Sequence, residues 1–229
     1  MVSMANATVR RKWHSRFISI ALLLAVASVI ANPPILSEKL LRQVSELYGY
    51  SARQRLLDWQ ALMDSHGTDT EVDKLGLVND FFNAMRFVSD SKHWGVEDYW
   101  ATPVEFLASK GGDCEDYSIA KYYTLKKMGV PETRMRITYV KALKLNQAHM
   151  VLAYYPTPGS VPLILDNLNS NILPATERDD LLPVYSFNAE GLWLAKSRTQ
   201  GLKIGKSERV GLWDDLVMRI DAEMVKKAK

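Results

Sequence analysis

The 229 residues include 29 Lys and Arg, 26 Asp and Glu, 47% hydrophobic and 24% charged residues, an ordinary globular composition with enough chain for one sizeable core. Arg10, Arg11, Lys12 and Arg16 lie in the first 31 positions, which hold no acid; without those four charges the formal net +3 becomes −1. That balance removes the electrostatic support for a nucleic-acid role, and a single cysteine, Cys114, excludes an internal disulfide.

The basic cluster is followed by an apolar run from Phe17 to Ala31, FISIALLLAVASVIA. The run is shorter than the roughly 20 residues of a spanning helix, and its small residues Val29 and Ala31 fit cleavage before Asn32. Residues 1–31 therefore read as a secretory signal, with an uncleaved membrane anchor as the alternative. Residues 32–229 read as a single domain exported to a bacterial periplasm, touching a membrane only through the N-terminal segment if it is retained. A lone thiol kept in an oxidising compartment is flagged as reactive.

After Pro33 and Pro34, Ser37 caps a first predicted helix through Tyr48, with Leu40, Leu41, Val44, Leu47 and Tyr48 on its apolar side. Gly49 interrupts it, and Ser51 opens a second helix to about Met63 with Leu56, Trp59, Ala61, Leu62 and Met63 facing inward. A loop covers 64–69. A third helix is expected over Glu71 to Val88, with Leu75, Val78, Phe81, Phe82, Met85 and Phe87 as core. Ser89 to Trp100, SDSKHWGVEDYW, is polar yet aromatic, as loops beside clefts often are; Trp94 and Trp100 either plug the top of the core or, for Trp94, wall the cleft or contribute to the oxyanion hole. Pro103 starts a short helix to Ser109 in the N1 position that proline tolerates.

Gly111 to Met128, GGDCEDYSIAKYYTLKKM, organises the chain. The glycine pair suits a close backbone approach or a turn with positive φ. Asp113 is a natural N-cap, and Gly129 and Pro131 stop the helix. Cys114 then occupies the first helical turn, where the macrodipole favours an anion and lowers a thiol from its usual value of about 8.5. A small buried hydrophobe at a helix start is the plainer reading.

Beyond this helix the pattern alternates. Arg134 to Val140 places Met135, Ile137 and Tyr139 on one face, and strands are expected at 149–155 and 162–168. Residues 185–187 and 192–194 form a predicted hairpin, and a last helix runs from about Leu212 to Lys226 with Leu212, Leu216, Ile220 and Met224 in line. Helices followed by an antiparallel sheet make the fold class α+β.

A nucleophilic cysteine needs a base, and the base needs an orienting group. His149 stands at a strand start, and Asp166 lies in an apolar strand where a carboxylate needs a partner. If the two strands pair antiparallel through a turn at 157–160, position 149 falls opposite about 168, one diagonal step from Asp166. Against this, His149 could be a strand-end histidine bonded to backbone, and Asp166 an Asx-turn starter before Asn167.

GGDCEDYSIAKYYTLKKMG, AHMVLAYY and ILDNLN, with WATPVEFL at Trp100 to Leu107, together resemble the bacterial transglutaminase-like cysteine proteinases from about Leu36 to the C-terminal helix. The resemblance implies a papain-like fold in its transglutaminase variant, with N-terminal helices and a central Cys-bearing helix packed on an antiparallel β-sheet. It makes Cys114 the nucleophile, with its backbone N–H in the oxyanion hole, His149 the general base and acid, and Asp166 the orienting carboxylate. It implies Ca²⁺ beside the nucleophile at Asp113 and Glu115, with Asp116 a weaker candidate; alone these acids do not form an EF-hand loop and read as helix-cap charges. Its implied substrate is a large surface adhesin, cut near its N-terminus at an Ala-Ala type site in the periplasm to disperse a biofilm. Its implied partner is the periplasmic domain of an inner-membrane cyclic di-GMP receptor. A transglutaminase-type acyltransferase and a non-catalytic binding domain of the same fold are the alternatives.

Overall fold

A computed structural model describes residues 35–198, 201–207 and 210–224. The signal or anchor reading of residues 1–31, and the expected helix end at Lys226, lie outside the described residues.

The first two helices form where their caps place them. Ser37 Oγ accepts the Leu40 N–H at 3.1 Å to start α1 (Glu38–Tyr48), and Gly49, at φ 84°, separates it from α2 (Tyr50–Ser65). Their buried faces are narrower than expected: α1 buries Leu41 and Val44 but leaves Leu47 79% exposed, and α2 buries Ala52, Leu56, Trp59 and Met63.

Thr70 caps α3 (Glu71–Asn83), which buries Leu75, Val78 and Phe82 and ends short of Val88. The remaining residues become β1 (Arg86–Phe87), and the exposed Phe87 does not join the core. The expected loop then holds one helical turn, α4 (Asp90–His93). A reciprocal Thr102–Glu105 capping box opens α5 (Pro103–Ser109).

The glycine pair forms β2 (Gly111–Gly112), parallel to β1. Here close approach, rather than positive φ, explains the glycines: the left-handed residue is Lys110, at φ 62°. A Cβ on Gly111 would lie 2.9 Å from the Arg86 carbonyl oxygen, and one on Gly112 would lie 2.9 Å from the Asp116 Cβ and collide with its carboxylate. This pairing accounts for the early stop of α3: Arg86 and Phe87 run as a strand against the glycines instead of as helix.

Helix α6 (Cys114–Lys127) is buried at every position from Asp116 to Leu125. It lies between the helical layer, α2, α3 and α5, and the sheet strands β3 (Met135–Ala142) and β4 (Gln147–Tyr154). Trp59 Nε1 donates to Thr124 Oγ1 at 2.8 Å, and Phe106 meets Tyr117 edge-on, fixing the helix from the α2 and α5 sides.

The sheet continues with β5 (Leu163–Leu165), β6 (Leu173–Pro174), β7 (Leu181–Asn188), β8 (Gly191–Ala195) and β9 (Gly201–Gly205). All neighbours are antiparallel, in the order β6-β5-β4-β3-β7-β8-β9. Met135, Ile137, Met150 and Leu152 face α6, while Val140, Val151, Ala153 and Ile164 form a second apolar cluster on the other side. The sequence reading lacks β6 and β9. The first has two residues and the second is largely exposed, so neither carries an alternating apolar signature. Helix α7 (Gly211–Glu223) closes the described chain with Trp213, Leu216 and Ile220 inward; Trp213 takes the place expected for the exposed Leu212.

The registers are Leu152↔Leu165, Ala153↔Ile164 and Tyr154↔Leu163. Extended, they set position 149 opposite 168, as the turn count predicts. Regular pairing ends at Leu165, so Asp166 leaves the ladder beside His149.

The crowding at Gly112 gives a stability prediction. Gly112→Ala should displace Asp116 and the start of α6, lowering stability by about 1–3 kcal/mol in urea unfolding. A wild-type midpoint would contradict the close-approach account.

Candidate active site

Cys114 is the first residue of α6, partly buried against the core. Its thiol donates to Glu115 Oε2, Sγ···O 3.0 Å, and the Met150 backbone lies close enough to act on the sulfur. Met150 directly follows His149 on β4, so the start of α6 lies against the strand that bears His149. Met150 lies beyond the part of β4 that pairs with β5, which leaves its N–H on an open edge. Burial, then Glu115 and Asp113, push the thiol up, with the Met150 N–H pulling the other way. Burial and these carboxylates together oppose the helix-terminus effect expected from sequence.

His149 and Asp166 meet as a buried pair. His149 Nε2 lies 2.7 Å from Asp166 Oδ1, with side-chain exposures of 2% and 0%. Since Asp166 is ionised, Nε2 carries the proton in this bond and Nδ1 is left with its lone pair. Oδ1 also accepts the Leu168 N–H at 2.9 Å, so Asp166 starts an Asx-turn as well as holding the imidazole. Burial pushes the Asp166 carboxyl up, but His149, the Leu168 amide and Arg178 more than offset it and bring it down to about 2.

The backbone of Asp166 is tied to the helical layer. Asn83 Nδ2 donates to the Asp166 carbonyl at 2.9 Å, and buried Lys121 donates to Asn83 Oδ1 at 2.8 Å and to Asn79 Oδ1 at 2.9 Å. Asn79 in turn donates to the Ser170 carbonyl at 2.9 Å. Helices α3 and α6 thus grip both ends of the turn that follows Asp166.

A cluster of acids lies beside the sulfur. Asp90, Asp98 and Glu115 bring ligand atoms within 4.8 Å of one another, as do Asp90, Asp113 and Asp116, and Asp113, Cys114 and Glu115. Asp116 is committed elsewhere: Oδ1 accepts from Ala101 N at 2.7 Å and Oδ2 from Asp113 N at 3.1 Å. By contrast, Asp90 Oδ1 and Asp113 Oδ1 are buried with no hydrogen-bond partner among the described residues. Burial, reinforced by neighbouring carboxylates, pushes Asp90 up to about 6 and Asp113 up to about 8. Hard oxygen donors, two of them orphaned in a mutually repelling cluster, fit a hard divalent cation.

The other described histidines stand apart from the pair: His66 bonds Asp69, and His93 packs edge-on against Trp94. The ring neighbours of Trp94 are His93 and Tyr99. Sequence reasoning missed Arg178, which donates to Asp166, and the acids Asp90 and Asp98. The two acids lie inside the aromatic segment SDSKHWGVEDYW, whose tryptophans drew the reading away from its carboxylates.

The chain matches the family model described as bacterial transglutaminase-like cysteine proteinase (BTLCP) over residues 57–195. It is similar to solved structures of LapG from Legionella pneumophila. An EGTA-treated form is 49% identical, covers 82% of this chain and 100% of its own, and has a TM-score of 0.71. A calcium-bound form is 47% identical, covers 80% and 98%, and has a TM-score of 0.69. No curated protein matches the chain.

The shifted acids set a pH dependence. Asp166, held at about 2 against an ordinary 3.8, stabilises the fold above about pH 4, and that contribution is lost as pH falls towards 2. Asp90 and Asp113 act oppositely: they bind protons more tightly folded than unfolded, so ionising them between about pH 4 and 8 costs stability. In chelator-treated buffer, wild type should lose more melting temperature between pH 5 and pH 8 than an Asp90→Asn/Asp113→Asn variant. Identical slopes in a thermal-shift series would contradict this assignment.

Proposed function

The chain belongs to the bacterial transglutaminase-like cysteine proteinases and is a cysteine protease; from that premise we propose a calcium-dependent periplasmic endopeptidase acting on the N-terminal region of a large surface adhesin. The observation that carries the reading is the meeting of Cys114, at the start of α6, with the β4 segment whose His149 is held by buried Asp166.

In this reading Cys114 Sγ attacks the scissile carbonyl carbon and its proton passes to His149 Nδ1, the nitrogen not engaged by Asp166. Asp166 keeps the other ring proton on Nε2 and stabilises the imidazolium. The Cys114 backbone N–H, free as helix-start donors are, faces the developing oxyanion. As the C–N bond breaks, His149 returns the proton to the leaving amine and a thioester remains. Water, deprotonated by the same imidazole, then releases the acid product and restores the thiol.

Asp90, Asp98, Asp113 and Glu115 would hold Ca²⁺, with Asp116, which also accepts from the Ala101 and Asp113 amides, the weaker candidate. Bound there, the ion supplies positive charge that offsets the carboxylate field at the sulfur. The calcium-bound and EGTA-treated LapG structures support a calcium site in this protein too. The periplasmic setting rests on the basic and apolar segment at 10–31, and the adhesin and the cyclic di-GMP receptor rest on family resemblance.

The test is cleavage of an adhesin N-terminal fragment bearing an Ala-Ala site. Wild type with Ca²⁺ should yield two smaller products, Cys114→Ala none, and EGTA should abolish cleavage until Ca²⁺ is restored. A heavier adduct in the presence of amines would mean acyl transfer instead. Full activity in calcium-free enzyme would remove the ion from the mechanism.

A further inference from the structure

The geometry points to Arg178 as a positioning residue for the proteolytic reaction, acting through Asp166 on the tautomer of His149. The inference deepens the reading in which His149 is the base.

Arg178 is 2% exposed and lies between two carboxylates. Its Nη2 donates to Asp166 Oδ2 at 2.7 Å, while Nε and Nη2 donate to the two oxygens of Asp180 at 2.9 and 2.8 Å. Asp180, 32% exposed, forms the outer end of a line running Asp180–Arg178–Asp166–His149.

The division of labour at Asp166 gives Arg178 its role. Oδ1 already receives His149 and the Leu168 amide; Oδ2 receives Arg178, its donor among the described residues. With both oxygens occupied, the carboxylate cannot turn about its last bond without leaving a buried oxygen unpaired. That lock keeps Oδ1 facing Nε2, the proton on Nε2, and Nδ1 free for the thiol. The guanidinium suits this task in a way an ammonium does not, because a planar fork must face both carboxylates at once.

The charges are matched to the same end. With neutral His149 the line carries one net negative charge, and with the imidazolium it is neutral. Arg178 therefore offsets the charge of half-buried Asp180 without forcing Asp166 to take up a proton. Asp180 fixes Arg178 in turn, and its backbone carbonyl accepts the Leu143 N–H at 2.8 Å, tying the line to the turn between β3 and β4.

The experiment compares calcium-supplemented wild type, Arg178→Met, Arg178→Lys and Asp180→Asn, each labelled with ¹⁵N-histidine, with Asp166→Asn as reference. In wild type the His149 ring should show its proton on Nε2. Arg178→Met, still folded, should give a mixed tautomer approaching that of Asp166→Asn. Its kcat on the adhesin fragment should fall about 10²-fold, with KM within about twofold. Arg178→Lys should recover only part of the loss. An unchanged His149 spectrum in folded Arg178→Met overturns the inference even if activity drops, because Arg178 would then be structural alone. If Arg178→Met does not fold, Asp180→Asn, altered at the exposed end, takes its place: a shift in the same direction supports the inference and a wild-type spectrum overturns it. The spectra need no substrate, so failure of the proteolytic reading remains distinguishable from failure of this one.

Discussion

A carboxylate removed from water stays charged only where donors replace the water it lost. Asp166 meets that condition through His149, Arg178 and the Leu168 amide, and the rest of the site depends on it. The ladder of β4 against β5 carries the chain to Leu165 and then releases it, so Asp166 falls beside His149. Asn83 and Lys121 hold the carbonyl of the same residue from the helical layer. Sheet and helices therefore converge on one aspartate, which carries their precision to the imidazole.

Helix α6 supplies the other half. Its burial from Asp116 to Leu125 makes it the axis of the fold, so the position of its first residue is fixed by packing along the whole helix. That rigidity places the sulfur against β4, and it also sets the sulfur among acids. The helix terminus favours a thiolate, whereas burial first, then Glu115 and Asp113, push the thiol up. Asp90 Oδ1 and Asp113 Oδ1 find no donor among the described residues, so the cluster is not satisfied by these alone. Charge balance at these acids and reactivity at the sulfur thus belong to one electrostatic problem.

The parts legible from sequence were those with local signatures. Ser37, Pro103 and Gly49 mark helix ends through capping, fixed φ and backbone freedom, and the structure places the boundaries there. The His149–Asp166 contact was legible because antiparallel pairing through a short turn is arithmetic. What stayed hidden was non-local. The apolar residues Met85 and Phe87 continue the period of α3, and only the glycine pair some twenty-five residues on shows why the helix gives way to a strand at Arg86–Phe87. Arg178 sits in a charged stretch, TERDD, that reads as solvated loop; its burial follows from the return of the chain over the far side of the sheet. Asp90 and Asp98 are separated from Cys114 in sequence, so no spacing within the Cys helix could reveal them.

The central claim is that the His149 imidazole takes the proton from the Cys114 sulfur. It is tested most directly by the rate at which iodoacetamide alkylates Cys114 at neutral pH with Ca²⁺ present, in wild type and in His149→Ala. Alkylation should slow by about tenfold or more when the imidazole is removed, since the thiolate is the reacting form. Equal alkylation rates in two folded proteins would contradict it.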